Sequence, residues 1–153
     1  MRIEGAVALV TGSGRGLGRE FAGELVRRGA ATVYGAARDP GAVTEPGVSP
    51  VALDITDPEH VAQAARQCAD VSLLVNNAGV MTTSPLIGAA TMDGARLEME
   101  TNYFGTLAMC RAFAPVLAAN GGGALVNVLS VVTAGAPIRP TAPMAPPKPR
   151  SGR

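Results

Sequence analysis

The stretch Val10-Thr11-Gly12-Ser13-Gly14-Arg15-Gly16-Leu17-Gly18 constrains what this chain can fold into more than any other. It follows an apolar run, Ala6 to Val10, and opens a helical pattern carried by Leu17, Phe21, Leu25 and Val26. Strand, glycine loop and helix in that order let a backbone approach a pyrophosphate, while the helix N-terminus offers unpaired N–H groups and positive potential. A ligand-free glycine turn is the alternative. Strand and helix signals then alternate. Arg27-Arg28-Gly29 closes the first helix, and Thr32-Val33-Tyr34 is a strand ending near Arg38. After a turn-rich stretch from Asp39 to Pro50, Val51 to Leu53 is a third strand. Asp57 and Pro58 start a helix reaching about Cys68, with the aspartate as its N-cap. Val71 to Val75 is a fourth strand, and a long helix runs from Met92 to Ala119, kinked or started late near Gly94 and Gly105. Gly121 to Gly123 ends it, and Ala124 to Leu129 is a fifth strand. The pattern predicts an α/β fold, a Rossmann-like doubly wound parallel sheet of about five strands.

No Gly-Lys-Ser/Thr closes the glycine loop, which excludes a P-loop. Gly12-Ser13-Gly14-Arg15-Gly16 also fits the spacing of a methyltransferase loop, the rival from another class. That rival expects an acidic residue ending the second strand, where Ala36-Ala37-Arg38 stands. A second motif, Asn76-Asn77-Ala78-Gly79, follows the fourth strand. Ligands of open parallel sheets bind at the carboxyl ends of strands, and small residues there suit close approach to a cofactor. Alone, the motif fits an ordinary turn.

Taken together, these residues resemble the short-chain dehydrogenase/reductase family over residues 4 to about 136. The resemblance implies that Thr11, Gly12, Ser13, Arg15, Gly16, Leu17 and Gly18 form the cofactor loop, and that Asn76, Ala78 and Gly79 form the fourth-strand motif. It places Asp54 at the adenine, Asn102 as the helix asparagine of a catalytic tetrad, and Ser130 as the catalytic serine. It implies an NADP(H)-dependent oxidoreductase that transfers hydride between nicotinamide and an alcohol or carbonyl substrate. NADP(H) is favoured over NAD(H) because no carboxylate ends the second strand, while Arg38 and Arg15 can reach a 2′-phosphate. A solvated Arg38 is the alternative. The helix over 92–119, with Met99, Leu107 and Phe113, resembles the family's dimerisation helix; packing on the sheet explains it equally well.

Composition changes near residue 135. Six of the 12 prolines lie at or after Pro137, the only lysine is Lys148, and no Asp or Glu follows Glu100. Residues 1–136 are expected to be the N-terminal part of a nucleotide-binding domain, and 137–153 a disordered Pro/Arg-rich tail. The family's tyrosine and lysine, the proton-transfer pair, would fall at positions 143 and 147, both proline here. One set of codons permitted by Pro143 to Gly152 reads, from the third base of the first codon, Tyr-Gly-Ala-Ser-Lys-Ala-Ala-Val-Trp. The expectation is therefore a frameshifted, prematurely ended member of the family, whose gene carries Tyr-x-x-x-Lys in the alternative frame. A catalytically inactive nucleotide-binding fragment or pseudogene product is the alternative to an enzyme. A net charge of +1 makes no case for nucleic acid or a membrane surface, and no apolar run reaches the length of a membrane span. Cys68 and Cys110 make no disulfide framework, His60 is expected to be solvated, and no cluster has metal-ligand spacing. A cytoplasmic location is expected.

Overall fold

The computed structural model describes residues 1–82 and 89–129. Its strands are β1 (Val7–Thr11), β2 (Thr32–Ala37), β3 (Val48–Ala52), β4 (Leu73–Asn76) and β5 (Ala124–Asn127). Its helices are α1 (Gly16–Arg27), α2 (Pro58–Gln67), α3 (Asp93–Glu98) and α4 (Thr106–Ala119). A 3-10 turn, Pro40–Ala42, follows β2, and a π-helical segment, Met99–Gly105, joins α3 to α4. The strands form one parallel sheet in the order β3-β2-β1-β4-β5. The chain winds outward from β1 in one direction, then returns to add β4 and β5 on the other side. The loops leaving β1 and β4 therefore diverge, and a crevice opens between them at the carboxyl ends of the strands.

β1 has no polar alternation because helices cover both of its faces. Ala8 and Val10 pack toward α1 with Ala22 and Leu25. Leu9 packs on the opposite face with Val61, Met109, Phe113 and Leu117 from α2 and α4. α2 begins as its sequence requires: the Asp57 carboxylate accepts the N–H groups of Glu59 (2.8 Å) and His60 (3.3 Å), and Pro58 stands where no donor is needed. Cys68 is buried in the core, and burial pushes its thiol up to about 11.

Several boundaries differ from the sequence expectation, each for a physical reason. The buried face of α1 is Gly18, Ala22, Gly23 and Leu25, while Leu17 and Phe21 are exposed. α1 lies so close to the sheet that small residues fill the contact. β3 starts at Val48 and includes Pro50, which the turn-rich composition had hidden. The Leu53 N–H bonds the Ala37 carbonyl, so the two-residue period turns position 50 toward the open edge, where proline forfeits no ladder bond. Gly94 does not break the long helix; it lies inside α3. The irregularity is the π-helical segment that ends at Gly105, where a Cβ would come within 2.8 Å of the Ile55 side chain. β5 is the edge of the described sheet and is open on both faces, with Leu125, Val126, Val128 and Leu129 exposed.

Candidate functional site

Thr11, the last residue of β1, ties the two diverging loops together. Its hydroxyl oxygen accepts the N–H groups of Asn77 (3.0 Å) and Ala78 (2.9 Å), just beyond β4. Asn77 answers by donating its side-chain amide to the carbonyl of Thr11 (3.0 Å) and, at 3.4 Å, to that of Gly12. The glycine loop is thereby stitched to the fourth-strand motif, and a cleft of about 920 Å³ opens above the stitch. Thr11, Gly12, Arg15, Gly16, Leu17 and Gly18 line it on the β1 side, and Ala78 and Gly79 on the β4 side. Arg38 and Asp54 line it at the ends of β2 and β3.

Backbone proximity explains the glycines. Gly12 holds φ +69°, and a Cβ there would sit 2.9 Å from the Cα of Ala78. A Cβ on Gly18 would overlap the Gly12 carbonyl oxygen. At the head of α1, Arg15 is in extended conformation and supplies no side-chain cap. The first N–H groups of the helix therefore face the glycine loop without a side-chain acceptor, which is the requirement for holding an anion.

Arg15 and Arg38 form no ion pair among the described residues. An acidic residue does follow β2: Asp39 also lines the cleft, one position past Arg38. Its carboxylate accepts the Gly41 N–H at 2.9 Å and so caps the 3-10 turn. Asp54 points its carboxylate at Thr56, accepting the backbone N–H at 3.0 Å and the hydroxyl at 2.8 Å. The Thr56 N–H is the chief cause of a carboxyl held below its ordinary range; the Thr56 hydroxyl and the charges of Arg38 and His60 add to it, against a partial desolvation.

Two residues assigned to the cofactor loop and motif by resemblance do not line this cleft. The Ser13 hydroxyl is buried and donates to the Ala36 carbonyl at 3.3 Å, holding the loop against β2. Asn76 is buried between β4, β5 and α4, where its amide donates to Asn127 Oδ1 at 2.9 Å and Cys110 Sγ at 3.4 Å. The strand period separates it from its neighbour: Asn76 ends β4 inside the sheet, and Asn77 is the one that lines the cleft. The doublet of asparagines was the available signal for Asn77. Val80, Leu97, Glu100 and Thr101 also line the cleft, with no motif to mark them. Asn102 lies in the π-helical segment and binds Val80 reciprocally, accepting its N–H at 2.8 Å and donating to its carbonyl at 2.7 Å. Ser130, Pro143, Pro147 and the 137–153 tail lie outside the described residues. Among the described residues no group of three metal-ligating side chains occurs, and no helix is long and apolar enough to cross a membrane.

Comparison with known proteins agrees with the geometry. The family profile described as short chain dehydrogenase matches residues 6–141. A sorbitol dehydrogenase of Cereibacter sphaeroides is 36% identical over 140 residues, covering 85% of this chain and 54% of that protein. A 3-oxoacyl-[acyl-carrier-protein] reductase of Vibrio harveyi is 34% identical, over 86% of this chain and 57% of its own length. The crystal structure of a short chain dehydrogenase from Burkholderia cenocepacia, in complex with NADP, superposes with a TM-score of 0.81 at 50% identity, over 85% of this chain and 55% of that one. A 3-ketoacyl-(acyl-carrier-protein) reductase from Brucella melitensis, complexed with NADH, superposes with a TM-score of 0.76 at 28% identity, over 84% of this chain and 58% of that one. The chain thus spans about half the length of the curated relatives it matches.

Proposed function

The chain belongs to the short-chain dehydrogenase family, and from that premise we propose that its cleft holds NADP(H) in preference to NAD(H), for hydride transfer between the nicotinamide and an alcohol or carbonyl substrate. The supporting observation is the pairing of charges at the end of β2. Arg38 and Arg15 line the cleft with no carboxylate partner among the described residues, while the Asp39 carboxylate that follows Arg38 caps the Gly41 N–H. A guanidinium fork suits a 2′-phosphate, whereas selection for the 2′-hydroxyl of NAD uses a carboxylate at the end of the strand itself, where Ala37 and Arg38 stand.

The residues present fit such a group. The uncapped start of α1 and the glycine loop make a cradle for a pyrophosphate, which a Cβ at Gly12 or Gly18 would disturb. The chemistry the bound cofactor supplies is hydride exchange at the nicotinamide ring. Thr11 and Asn77 hold the cradle's two halves together, and Asp54 with its Thr56 bonds shapes the wall expected to face the adenine. Asn102 anchors the segment after Gly79, and Ser130 is assigned to orient the substrate oxygen. The face of the long helix that carries Met99 and Leu107 is open, whereas Phe113 is buried against the sheet. We assign that open face to contact with a second copy.

Replacing Arg38 with alanine is expected to raise the Kd for NADPH about tenfold, the loss of one charge-assisted phosphate contact. The Kd for NADH should stay within about twofold. Fluorescence titration of both cofactors measures the split, and equal losses for both would remove Arg38 from the selection. A second reading, a nucleotide-binding chain without oxidoreductase activity, is favoured by one observation: prolines occupy positions 143 and 147. Turnover of NADPH against a panel of carbonyl compounds separates the two. Translation of the gene in the alternative frame tests the frameshift, which requires Tyr-x-x-x-Lys followed by further strand and helix.

A further inference from the structure

Two side chains one helical turn apart grip the run of chain that leaves β4. Asn102 binds both polar backbone atoms of Val80. Four residues earlier, one carboxylate oxygen of Glu98 accepts the Thr82 N–H at 2.6 Å and the Thr82 hydroxyl at 2.7 Å. Glu98 and Asn102 thus meet Thr82 and Val80 in antiparallel register.

Apolar burial does not explain how α3 is held. No residue of Asp93–Glu98 is buried, and among the described residues α3 packs against no helix or strand beyond the π-helical segment it runs into. The bonds from Glu98 and Asn102 are the side-chain hydrogen bonds that tie this stretch of helix to the run after β4. We propose that Glu98 is a positioning residue: by seating Thr82 it keeps Val80 in register with the Asn102 amide and so sets the lip of the cleft formed by Val80, Leu97 and Thr101. The effect on cofactor binding rests on the reading of that cleft given above; the seating itself does not.

The contacts also set a pH dependence. The Thr82 hydroxyl, then its N–H, hold the Glu98 carboxyl below its ordinary range. A carboxylate with a lowered folded-state value stabilises its contacts above the unfolded value, and that support fades as pH falls through the folded one. No competing charge faces it from the gripped run: Ala78 to Thr82 holds no titratable side chain. On its own helix Asp93 and Arg96 face each other at 3.9 Å, and Glu100 lies on the cleft side.

Amide hydrogen exchange on the full chain tests the proposal. In Glu98→Ala the Val80 N–H, which Glu98 does not touch, should exchange about tenfold faster, while Leu9 and Leu74 in the core stay unchanged. Glu98→Gln, which keeps an acceptor oxygen, should restore most of the protection. In the wild type, Val80 protection corrected for intrinsic exchange should fall as pH drops below the carboxylate range, and in Glu98→Gln it should stay flat. Acceleration confined to Thr82, or pH-independent protection at Val80 in the wild type, overturns the proposal. Should Glu98→Ala fail to fold, the wild-type pH series and Glu98→Gln still decide it. NADPH titration of the same proteins is read separately: a wild type that binds none contradicts the cofactor assignment and leaves the exchange result to judge Glu98.

Discussion

Gly18→Ala should abolish saturable NADPH binding and lower stability by about 1–3 kcal/mol, the usual cost of forcing an extra carbon into a packed site. The sign is not obvious in advance. Gly18 lies in the first turn of α1, and in a free helix alanine is better than glycine by about 1 kcal/mol. Contact decides against it. The new Cβ would overlap the Gly12 carbonyl oxygen and stand 2.8 Å from the Gly12 carbonyl carbon, and backbone cannot swing aside as a side-chain tip can. It would also press on the Asn77 amide at 2.5 Å, the group that stitches the glycine loop to the fourth-strand motif. Relief requires α1 to lift from β1, which moves the helix N-terminus away from the cradle. Urea unfolding and NADPH titration on the same variant measure both effects. A variant as stable as the wild type that still binds would show that the approach of loop and helix is looser than described.

Phe113→Ala should be the most damaging single truncation in the core, at about 3–5 kcal/mol. Phe113 is fully buried and is the largest such side chain among the described residues. It sits under the sheet with Leu9, Leu74, Met109 and Leu117, so its removal leaves a cavity bounded by two helices and the sheet. Against a typical total stability of about 5–15 kcal/mol, that loss is a large fraction of the whole and shifts the folded-to-unfolded ratio by at least about a hundredfold. Leu125→Ala on the open β5 edge is the internal contrast, since its side chain is already 36% exposed, and it should cost within about 1 kcal/mol. Urea midpoints for the two variants check the ordering; equal shifts would contradict the placement of the core.

Much of this was legible in the sequence. The apolar runs ending at Val10 and Val75, and the glycine and asparagine motifs that follow them, name the two strands whose diverging loops make the crevice. Their legibility has a cause: a fully buried parallel strand shows as a continuous apolar run, and a cradle that backbone must fill shows as glycine. What was hidden depends on packing between distant elements. Leu17 and Phe21 look like the core face of α1, but the closeness of helix to sheet selects Gly18 and Ala22 instead. Pro50 looks like a turn, and only the sheet order makes it an acceptable edge-strand residue. The separate roles of Asn76 and Asn77 follow from which side of the sheet each faces, and adjacent identical letters carry no record of that. Glu98 belongs to no motif, and its partner Thr82 is sixteen positions away.

Titration of the full chain with NADPH and NADH, followed by nicotinamide fluorescence and by thermal shift, tests most directly the claim that this cleft is a dinucleotide site built for a 2′-phosphate. Saturable binding of both, tighter for NADPH and weakened toward the NADH value in Arg38→Ala, is the expected result. Tighter NADH, or no saturable binding of either by a folded chain, would contradict it.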